Sequence, residues 1–570
     1  MKNDTAIARW LDRDPDCITK NELKQLVARN DKKELLDRFS GRLAFGTAGL
    51  RGKVGAGPNR MNLLVIQETA LGLSHYLLST VSDAKNKGVI IGYDCRPDSQ
   101  RFAEAAACML MSQGISVYLT EKVAPTPLVC FGVLHLNCAA AIVVTASHNP
   151  PAYNGFKVYW ENGAQIIPPH DAGIAEEIIK AADSALPKMT LDAGEQQGLL
   201  TWLKADYYNA YRQAINNSCY LASHGNPETV SLSYSAMHGV GAELAEGLLK
   251  DAGFTSIYSV QAQREPDGTF PTLKFPNPEE AGAMDLAIAE AAKHSALLAC
   301  ANDPDADRFA AAVRTTSGGY KMLTGDQLGV LFAYYLLSHA DASSESLVGT
   351  TIVSSSLLAK VAHAFDACYY ETLTGFKWLS NVAIQKKTEH RHFLFAYEEA
   401  LGYTIGSTTW DKDGLSALTV FAQMTAELAT HSQSIWDRLE MIYRAHGMHL
   451  NTQCSIALEP GASPLGDALR ANPPTRIAGR SIIKVHDLKA LKIYHAGGNE
   501  ETIDLPTSDV LIYHLSDGSR VVVRPSGTEP KIKCYYEVIE PFSEVDTMEQ
   551  VTARAEKNMQ SLIRQHQASL

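Results

Sequence analysis

The strongest constraint on the fold is a repeated alternation of strand-like and helix-like segments. "VIIGYD" (89–94) has the pattern of a buried strand, "RFAEAAACMLMSQG" that of a helix ending at Gly114, and "SVYLT" and "AAAIVVTA" those of further strands. Strand, helix and strand at this spacing predict βαβ units on a parallel sheet. The same order recurs from "LSYSAM" to "ALLACAN", and again from "TTIVSSS" (350–356) to "HFLFAYEEA". We therefore expect three α/β domains.

The two ends of the chain have different patterns. The first ~40 residues are polar with a helical pattern, which predicts a surface extension. Near the other end, "VLIYHL", "RVVVRPSG" and "KIKCYYEVI" predict an antiparallel α+β unit that closes with a helix near 544–566. Polar or Pro-rich seams fall near 216–228, 340–348 and 459–475. A chain of 570 residues is too long for one core, and ~150 residues per domain suggest about four domains.

Composition excludes several classes of partner. The formal net charge of -12 argues against nucleic acid and acidic membranes, which attract basic surfaces. The ten cysteines contain no Cys-x-x-Cys pair, which predicts reduced thiols rather than a disulfide framework or a zinc site. "MKNDTAIARWLDRDPD" carries charges where a signal peptide is apolar, and "LGVLFAYYLL" is too short to cross a bilayer. We expect a cytoplasmic protein with no nucleic-acid and no membrane partner.

A serine and a histidine follow the predicted strand "AAAIVV" in the stretch "TASHNPPAYNGFK" (Thr145–Lys157). Ligands of open α/β sheets bind beyond the carboxyl ends of the strands, so Ser147 and His148 lie in a place suited to function. Three interpretations are open. The pair could belong to a turn that caps the next segment. It could be a hydrolase nucleophile elbow, although Gly-x-Ser-x-Gly is absent. Ser147 could also carry a phosphoryl group.

The second cluster is "ANDPDADRF", in which Asp303, Asp305 and Asp307 alternate after a predicted strand. A tight loop could direct all three carboxylates at one centre, and hard oxygen ligands suit magnesium or calcium. An EF-hand would need glycine and glutamate where the chain has Arg308 and Arg314, and a solvated acidic turn remains an alternative. Magnesium commonly pairs protein carboxylates with phosphate oxygens, which favours a phosphoryl-bearing serine. Arg308 could stabilise charge on the transferring group.

The third cluster, "RPSGTEPKIK", follows the strand-like "RVVV". Arg524 can donate two hydrogen bonds to a phosphate, Ser526 and Thr528 add hydroxyls, and Gly527 lets backbone N–H groups approach closely. An ordinary Ser-Gly-Thr turn is the alternative interpretation. A Walker loop is excluded near residue 52, because "GLRGKVG" lacks the first glycine and the Ser/Thr after Gly-Lys.

The fourth group combines "TLTGFKW" (Thr372–Trp378), "YEEALGY" (Tyr397–Tyr403) and "DKDG" (Asp411–Gly414). The paired glutamates Glu398 and Glu399 follow a strand and can accept hydrogen bonds from vicinal sugar hydroxyls. Such a pair is also common on a solvated face. None of the four groups identifies a function by itself.

In this order and spacing the motifs resemble those of the α-D-phosphohexomutase family of phosphoglucomutases, phosphomannomutases and phosphopentomutases. The resemblance runs from Phe45 to about Val538. "TASHNP" resembles the phosphoserine loop of the family, "DPDADR" its metal loop, "TGFK" and "YEEALG" its sugar-reading loops, and "RPSGTEP" its phosphate-binding loop. "FPTLKFPNPEE" (270–280), "TLTGFKW" and "DKDG" are most similar to the branch of type-2 phosphoglucomutases and phosphopentomutases.

The resemblance implies an α/β fold of four domains around a central cleft. Three related α/β domains with mixed or parallel sheets precede a smaller C-terminal α+β domain. The expected bounds are 1–218 for the N-terminal extension and domain I with the phosphoserine loop, 219–325 for domain II with the metal loop, 326–455 for domain III with the sugar-binding loops, and 456–570 for domain IV with the phosphate-binding loop.

The resemblance also implies roles for individual residues. Ser147 is the expected phosphoserine, whose phosphate joins Asp303, Asp305 and Asp307 on one Mg²⁺ ion. The expected catalytic residues are Ser147, His148, Lys157, Arg51 and Arg308. The expected substrate-binding residues are Arg51, Arg308, Thr374, Gly375, Lys377, Glu398, Lys412, Arg524, Ser526, Gly527 and Thr528. A sugar bisphosphate is the expected intermediate and activator.

The implied activity is an intramolecular phosphotransferase reaction, with phosphoglucomutase as the leading hypothesis. Such an enzyme interconverts α-D-glucose 1-phosphate and glucose 6-phosphate through a phosphoserine and glucose 1,6-bisphosphate. Phosphopentomutase and phosphomannomutase are the alternatives, since Ala400 replaces the serine that many family members have in the sugar loop. A non-catalytic sugar-phosphate sensor and a structural calcium-binding protein are hypotheses from other classes. The expected partners are small sugar phosphates, and the expected state is a monomer or homodimer.

Overall fold

The computed structural model describes residues 2–46, 48–218, 224–341, 343–457, 465–525 and 531–569. The chain forms two compact units, which are described separately. Unit 1 comprises Met1–Leu323 and Ala400–His431, and unit 2 comprises Thr324–Glu399 and Ser432–Leu570. Within the described ranges, no helix is both long enough and apolar enough to cross a bilayer.

The N-terminal extension is helical, as predicted, but it is more than a surface segment. It contains α1 (Lys2–Arg13), α2 (Cys17–Ala28) and α3 (Lys32–Arg38). Ile7, Trp10 and Leu23 are buried in the same core as the strands of the first sheet. The prediction of a surface extension was wrong because the many charged residues hide the few apolar positions in the sequence. Ile7 and Trp10 are three residues apart and therefore share one face of α1.

The first sheet of unit 1 is mixed. Its strands are β1 (Leu50–Lys53), β2 (Val89–Tyr93), β3 (Val117–Thr120), β4 (Ala140–Val144), β5 (Tyr153–Trp160) and β6 (Leu200–Leu203). Its helices are α4 (Leu63–Thr80), α5 (Ala84–Lys87), α6 (Ser99–Ser112), α7 (Thr126–His135), α8 (His170–Asp183), α9 (Leu191–Gln196) and α10 (Ala205–Asn216). The strand order is β1-β5-β4-β2-β3-β6. Strands β4, β2, β3 and β6 are parallel, whereas β5 returns antiparallel beside β4. The connection 145–152 is too short for a parallel crossover.

The second sheet of unit 1 repeats this arrangement. Its elements are β7 (Ser231–Ser235), α11 (Ala242–Asp251), β8 (Ser256–Ser259), α12 (Asp285–Lys293), β9 (Leu298–Asn302), β10 (Phe309–Arg314) and β11 (Tyr320–Met322), with 3₁₀ turns at Pro227–Thr229 and Gln261–Gln263. The order is β11-β10-β9-β7-β8, with β10 antiparallel to β9. The loops 145–152 and 303–308 therefore occupy equivalent places, each between a parallel strand and its antiparallel return.

A third α/β segment belongs to unit 2. Its elements are α13 (Gly325–Ser338), β12 (Glu345–Thr351), α14 (Leu357–Ala364), β13 (Cys368–Thr372), α15 (Phe376–Lys386) and β14 (Arg391–Glu398). Strand β12 pairs in parallel with β13 and with β14. The predicted strand at 350–356 was wrong in its bounds, because β12 begins five residues earlier, at Glu345. The polar segment predicted at 340–348 therefore includes the first residues of that strand. The polar start Glu345-Ser346 hides a strand whose pairing on both sides buries Leu347 and Val348.

The chain then returns to unit 1 for β15 (Gly402–Ile405) and α16 (Gly414–Thr430). The "DKDG" motif begins α16, since the Asp413 carboxylate accepts the backbone N–H groups of Leu415 and Ser416 at 3.1 and 3.0 Å. Such a side-chain cap satisfies donors that the first turn leaves unpaired. Helix α16 packs against α11 and against β9 and β10, so it lies beside the strands that carry the 303–308 loop.

The C-terminal part of unit 2 is built on an antiparallel sheet. Its elements are α17 (Ile435–His446), β16 (Met448–Ala457), α18 (Leu465–Ala471), β17 (Arg476–Ile477), β18 (Arg480–Asp487), β19 (Lys492–His495), β20 (Glu500–Thr502), β21 (Leu511–Leu515), β22 (Arg520–Pro525), β23 (Lys531–Glu540) and α19 (Met548–Gln567). The order is β16-β23-β22-β21-β18-β19-β20, with β17 beside β18. Three α/β domains followed by an antiparallel α+β domain confirm the predicted fold class.

Candidate functional site

Ser147 lies buried just beyond the carboxyl end of β4, in a conformation that is rare for a residue with a side chain. Its φ angle is +50°, in the left-handed region. Its backbone N–H donates to Thr145 Oγ1 at 2.8 Å, and that hydroxyl donates to Asp94 Oδ2 at 2.7 Å. Asp94 also forms a buried ion pair with Arg96 at 3.1 Å. Strained backbone of this kind persists where surrounding contacts hold it, and here they fix the direction of the serine.

Arg96 holds the whole serine loop and was missed by the sequence analysis. Its guanidinium donates to the carbonyl oxygens of Ser147, Asn149, Pro150 and Tyr153 at 2.7, 2.6, 2.8 and 3.0 Å. A planar fork with five donors suits this task better than a lysine. The available signal was the position of Arg96, which follows the carboxyl end of β2 as the other motifs follow their strands.

The loop after β9 brings its three carboxylates together, as predicted. Asp303, Asp305 and Asp307 are buried, and their candidate ligand atoms lie within 4.8 Å of one another. This burial excludes a solvated acidic turn. The Ser147 hydroxyl donates to Asp303 Oδ2 at 2.8 Å, so the two loops meet.

The donor set fits a divalent cation. Among the residues that the structure describes, no hydrogen-bond donor reaches the buried oxygens Asp305 Oδ1 and Asp307 Oδ1. Buried carboxylate oxygens without partners are costly, and hard oxygen ligands are those that Mg²⁺ and Ca²⁺ prefer. The residues present therefore suit such an ion.

Two lysines contact the same carboxylates. Lys157 Nζ donates to Asp305 Oδ2 at 2.8 Å and to Asp307 Oδ2 at 3.0 Å, and Lys412 Nζ lies 3.2 Å from Asp307 Oδ2. Burial alone would raise the pKa of Asp305, but Lys157 holds it below its usual value. Burial, together with Asp305 and Asp307, instead raises the pKa of Asp303 well above its usual value. The lysines thus offset part of the repulsion within the cluster.

His148 contacts the serine, and Arg51 contacts the loop that carries it. His148 Nδ1 is 3.2 Å from Ser147 Oγ. Burial and the nearby Arg308 and Arg51 lower the pKa of His148 to about 2, so its imidazole is neutral near pH 7. Arg51 lies on β1 and donates to Asn149 Oδ1 at 3.1 Å. A neutral imidazole at this distance can share a hydrogen bond with the hydroxyl.

Arg308 joins the carboxylate loop to the segment after "YEE". Its backbone N–H donates to Asp303 Oδ1 at 3.0 Å. Its guanidinium Nη1 donates to Glu279 Oε2 at 3.1 Å and to the Ala400 carbonyl at 3.0 Å. Ala400, the position where the chain departs from many members of the family it resembles, therefore contacts the 303–308 loop through its backbone.

Sequence reasoning also missed the contacts that orient Asp305 and Lys412, because no local sequence pattern indicates them. Thr126, the first residue of α7, donates from Oγ1 to Asp305 Oδ2 at 2.6 Å and from its N–H to the Asp305 carbonyl at 2.9 Å. Tyr159 donates from its hydroxyl to Asp411 Oδ2 at 2.6 Å, and Asp411 Oδ1 accepts from Lys412 Nζ at 3.2 Å. These contacts orient Asp305 and Lys412.

The predicted sugar-reading residues lie in unit 2. Gly375 has a φ of +115° and donates its N–H to Glu398 Oε1 at 2.7 Å, so Glu398 is fixed rather than loose on a solvated face. Glycine is required there because other residues rarely adopt that φ. Thr374 is partly exposed, and Lys377 Nζ lies 5.8 Å from the centre of the Trp378 ring.

Arg524 and the two glutamates of "YEEALGY" act on the same side chain, that of Tyr535. It lies on β22 opposite Lys533 of β23. Burial raises the pKa of Tyr535 to about 12, with Glu399 and Glu398 adding to the rise and Arg524 opposing it. The charges of "YEEALGY" and of Arg524 therefore both act on the Tyr535 hydroxyl. The predicted phosphate-binding residues Ser526, Gly527 and Thr528 lie outside the described residues.

The predicted site residues thus divide between the two units. Unit 1 holds Arg51, Ser147, His148, Lys157, Asp303, Asp305, Asp307, Arg308 and Lys412. Unit 2 holds Thr374, Gly375, Lys377, Glu398 and Arg524.

Sequence models of one family match four successive segments of the chain. The phosphoglucomutase/phosphomannomutase α/β/α domain I matches residues 42–185, domain II matches 207–318, domain III matches 324–444, and the C-terminal domain matches 482–554. Together these segments span most of the chain.

Three curated relatives cover nearly the full length. Human phosphopentomutase is 37% identical over 566 residues, which span 94% of this chain and 92% of the relative. Human glucose 1,6-bisphosphate synthase is 33% identical and covers 95% of this chain and 91% of its own length. Phosphoglucomutase of Staphylococcus haemolyticus is 35% identical over 521 residues, with coverage of 90% and 92%.

Solved structures show the same fold at lower identity. The Paramecium phosphoprotein pp63/parafusin, a phosphoglucomutase, superposes with a TM-score of 0.65 at 18% identity, covering 92% of this chain and 95% of its own. A phosphoglucomutase/phosphomannomutase family protein from Burkholderia thailandensis gives 0.64 at 19% identity, with coverage of 91% and 98%. The chain therefore belongs to the phosphoglucomutase/phosphomannomutase family and is an enzyme of that family's class, the phosphosugar mutases.

Proposed function

We propose that the chain moves a phosphoryl group between the 1-position and the terminal hydroxyl of an aldose phosphate. A pentose phosphate, of ribose or deoxyribose, is the preferred substrate, and a glucose phosphate is the second candidate. The observation that carries the proposal is the Ser147 hydroxyl 2.8 Å from Asp303 in a buried three-carboxylate loop. The 37% identity to human phosphopentomutase supports the pentose, and moves phosphoglucomutase, the leading hypothesis from the sequence, to second place.

The proposed reaction consists of two phosphoryl transfers that are the reverse of one another in direction. A phosphoryl group on Ser147 Oγ is attacked by the free hydroxyl of a sugar monophosphate, so the P–Oγ bond breaks and a P–O bond to the sugar forms. The proton lost by the sugar hydroxyl passes to Ser147 Oγ as the P–Oγ bond breaks, and His148, whose Nδ1 is 3.2 Å from that oxygen, supports this step by hydrogen bonding to it. The resulting bisphosphate then returns its other phosphoryl group to Ser147.

The cationic groups of unit 1 offset the charge of the transferred group. Mg²⁺, held by Asp303, Asp305 and Asp307 with an oxygen of the phosphoserine, would supply positive charge against that group. Arg51 and Arg308 add fixed positive charge, which is the main protein contribution to phosphoryl transfer. Lys157 and Lys412 keep the carboxylates in place by pairing with them.

The polar groups of unit 2 are proposed to recognise the sugar and its distal phosphate. Thr374, Gly375, Lys377 and Glu398 read the sugar hydroxyls, and the hydrogen bond from the Gly375 N–H presents the Glu398 carboxylate in one orientation. Arg524, with Ser526, Gly527 and Thr528, binds the distal phosphate.

A cytoplasmic location is part of the proposal. The nine cysteines within the described residues are all free thiols, which is usual for proteins of reducing compartments.

A substrate comparison tests the proposed function. The purified enzyme is given ribose, deoxyribose, glucose and mannose 1-phosphates with Mg²⁺ and a matching sugar bisphosphate. We expect the highest kcat/KM with a pentose 1-phosphate. A higher value with glucose 1-phosphate would reverse the order of the two substrates. Binding of a sugar phosphate without turnover of any of the four would favour the sensor instead.

Replacing Arg96 by lysine is expected to lower kcat about 100-fold, since a displacement of the serine loop by roughly 1 Å costs that much. One ammonium group cannot reach the four carbonyls that the guanidinium holds. The measurement is kcat of Arg96→Lys after priming with bisphosphate. Arg264→Lys is the matched control, because Arg264 pairs with Glu246 at 2.9 Å elsewhere in unit 1. A wild-type kcat in Arg96→Lys would contradict this role.

A further inference from the structure

The serines 354–356 form a turn after β12 that the proposed reaction does not use. Ser354 Oγ donates to Glu399 Oε2 at 2.9 Å, and the Glu399 N–H donates back to Ser354 Oγ at 3.2 Å. The Ser355 N–H donates to Asp326 Oδ1 at 2.6 Å. Ser354, Ser355 and Asp326 are buried. The turn therefore fixes the second glutamate of "YEEALGY" and is itself tied to helix α13.

A buried carboxylate of the antiparallel sheet holds the other side of this turn. Glu537 Oε1, on β23, accepts the Ser355 hydroxyl and the Ser356 N–H, each at 2.8 Å. His449 Nδ1, on β16, lies 3.0 Å from the same oxygen. A buried carboxylate with this many partners is held in one orientation, since each unmade contact would be costly.

Arg520, on strand β22, contacts both Glu537 and the serine turn. Its Nε forms an ion pair with Glu537 Oε2 at 3.1 Å. Its two terminal nitrogens donate to the carbonyl oxygens of Ile352, at 3.1 Å, and of Ser354. The guanidinium is buried, and its planar fork bridges one side chain and two backbone groups in a single geometry.

The strand that carries Arg520 also carries Arg524. Residues four apart on a strand share a face and lie roughly 13 Å apart. At one end of β22, Arg520 therefore bonds to the turn that orients Glu399. At the other end, Arg524 is proposed to bind the distal phosphate.

We propose that Arg520, Glu537 and the serine turn 354–356 are positioning residues. By holding Glu399, they set the spacing between its neighbour Glu398, which is proposed to read the sugar, and Arg524, which is proposed to bind the distal phosphate. The inference rests on the proposed function, because it assigns those groups to substrate. It requires the network to act on the affinity for the sugar phosphate rather than on the phosphoryl-transfer step, whose groups lie in unit 1.

The kinetic test uses two variants and one matched control. Ser354→Ala removes the hydroxyl that contacts Glu399. Arg520→Lys replaces the planar guanidinium, which contacts Glu537 and two backbone carbonyls, by a single ammonium group. We expect KM for the sugar 1-phosphate to rise about ten-fold in each, with kcat nearly unchanged, because such a network supports ground-state and transition-state binding alike. Arg470→Lys breaks a comparable arginine of unit 2, paired with Asp487 and Asp509, and should leave KM unchanged.

A second measurement is independent of activity. Hydrogen exchange of the backbone at 352–356 and 398–399 should be faster in Arg520→Lys than in the wild type, and unchanged in Arg470→Lys. Unchanged KM in both variants, whatever the exchange shows, or equal effects in the control, would overturn the inference. If Arg520→Lys does not fold, Ser354→Ala decides. If the wild type turns over no sugar phosphate, the proposed function fails, and the exchange data still test the network.

Discussion

Replacing Ser147 by alanine is expected to lower kcat by at least about 10⁴-fold, because the nucleophile that carries the phosphoryl group is lost. The fold should survive. The hydroxyl makes one hydrogen bond to a carboxylate, to Asp303, and its loss costs only about 1–3 kcal/mol of the free energy of unfolding. The Arg96 contacts use the backbone of the loop and remain possible in the variant. Steady-state turnover of the preferred sugar 1-phosphate measures the effect.

Ser233→Ala is the matched control for this prediction. Ser233 is also a buried serine of unit 1, and its hydroxyl donates to the Ala287 carbonyl at 2.6 Å, remote in sequence from the motif loops. It should keep the wild-type kcat. Incubation with sugar bisphosphate should add one phosphoryl group to the wild type and to Ser233→Ala but not to Ser147→Ala, as measured by intact mass. Full turnover by Ser147→Ala would exclude the phosphoserine mechanism.

The convergence of the serine and carboxylate loops could be predicted because the relevant signals are local. Each motif follows an apolar run of about five residues, and the carboxyl ends of strands are where ligands collect. Ser147 and Asp303 are 156 positions apart, yet each could be placed at a strand end from its immediate neighbours. Phosphate chemistry, rather than sequence distance, then indicated that the two loops serve one ion.

The contacts that hold these loops, and those that hold the turn 354–356 of unit 2, could not be predicted because their partners are distant in sequence and carry no pattern. Arg96 is 51 residues from Ser147, and Arg520 is 168 residues from Ile352. Both bind backbone carbonyls, which every residue possesses, so no residue type in the sequence marks the partner. Lys157 was predicted as a catalytic residue and Lys412 as a substrate-binding one, and no sequence pattern indicated that both also pair with the carboxylates of the 303–308 loop.

Replacing Asp305 by asparagine is expected to abolish the thermal stabilisation that Mg²⁺ gives the protein. In the wild type, Mg²⁺ at 100 times its Kd should add about 2.7 kcal/mol to the free energy of unfolding, because the folded state alone presents the three carboxylates together. The substitution keeps an oxygen that Thr126 and Lys157 can reach but removes one buried negative charge. Turnover should fall about 10²- to 10³-fold, since the charge facing the phosphoryl group is no longer supplied.

The control for Asp305→Asn is the same change at another buried carboxylate of unit 1. Asp14 accepts the Thr19 hydroxyl at 2.6 Å and the Asp16 N–H at 3.0 Å within the N-terminal helices, far along the chain from the metal loop. Asp14→Asn can alter the melting temperature without the ion, but the increase on adding Mg²⁺ should equal that of the wild type. Because each protein is compared with itself, with and without Mg²⁺, a general loss of stability in Asp305→Asn cannot imitate the loss of binding. An undiminished Mg²⁺ shift in that variant would contradict the assignment of Asp305 as a ligand.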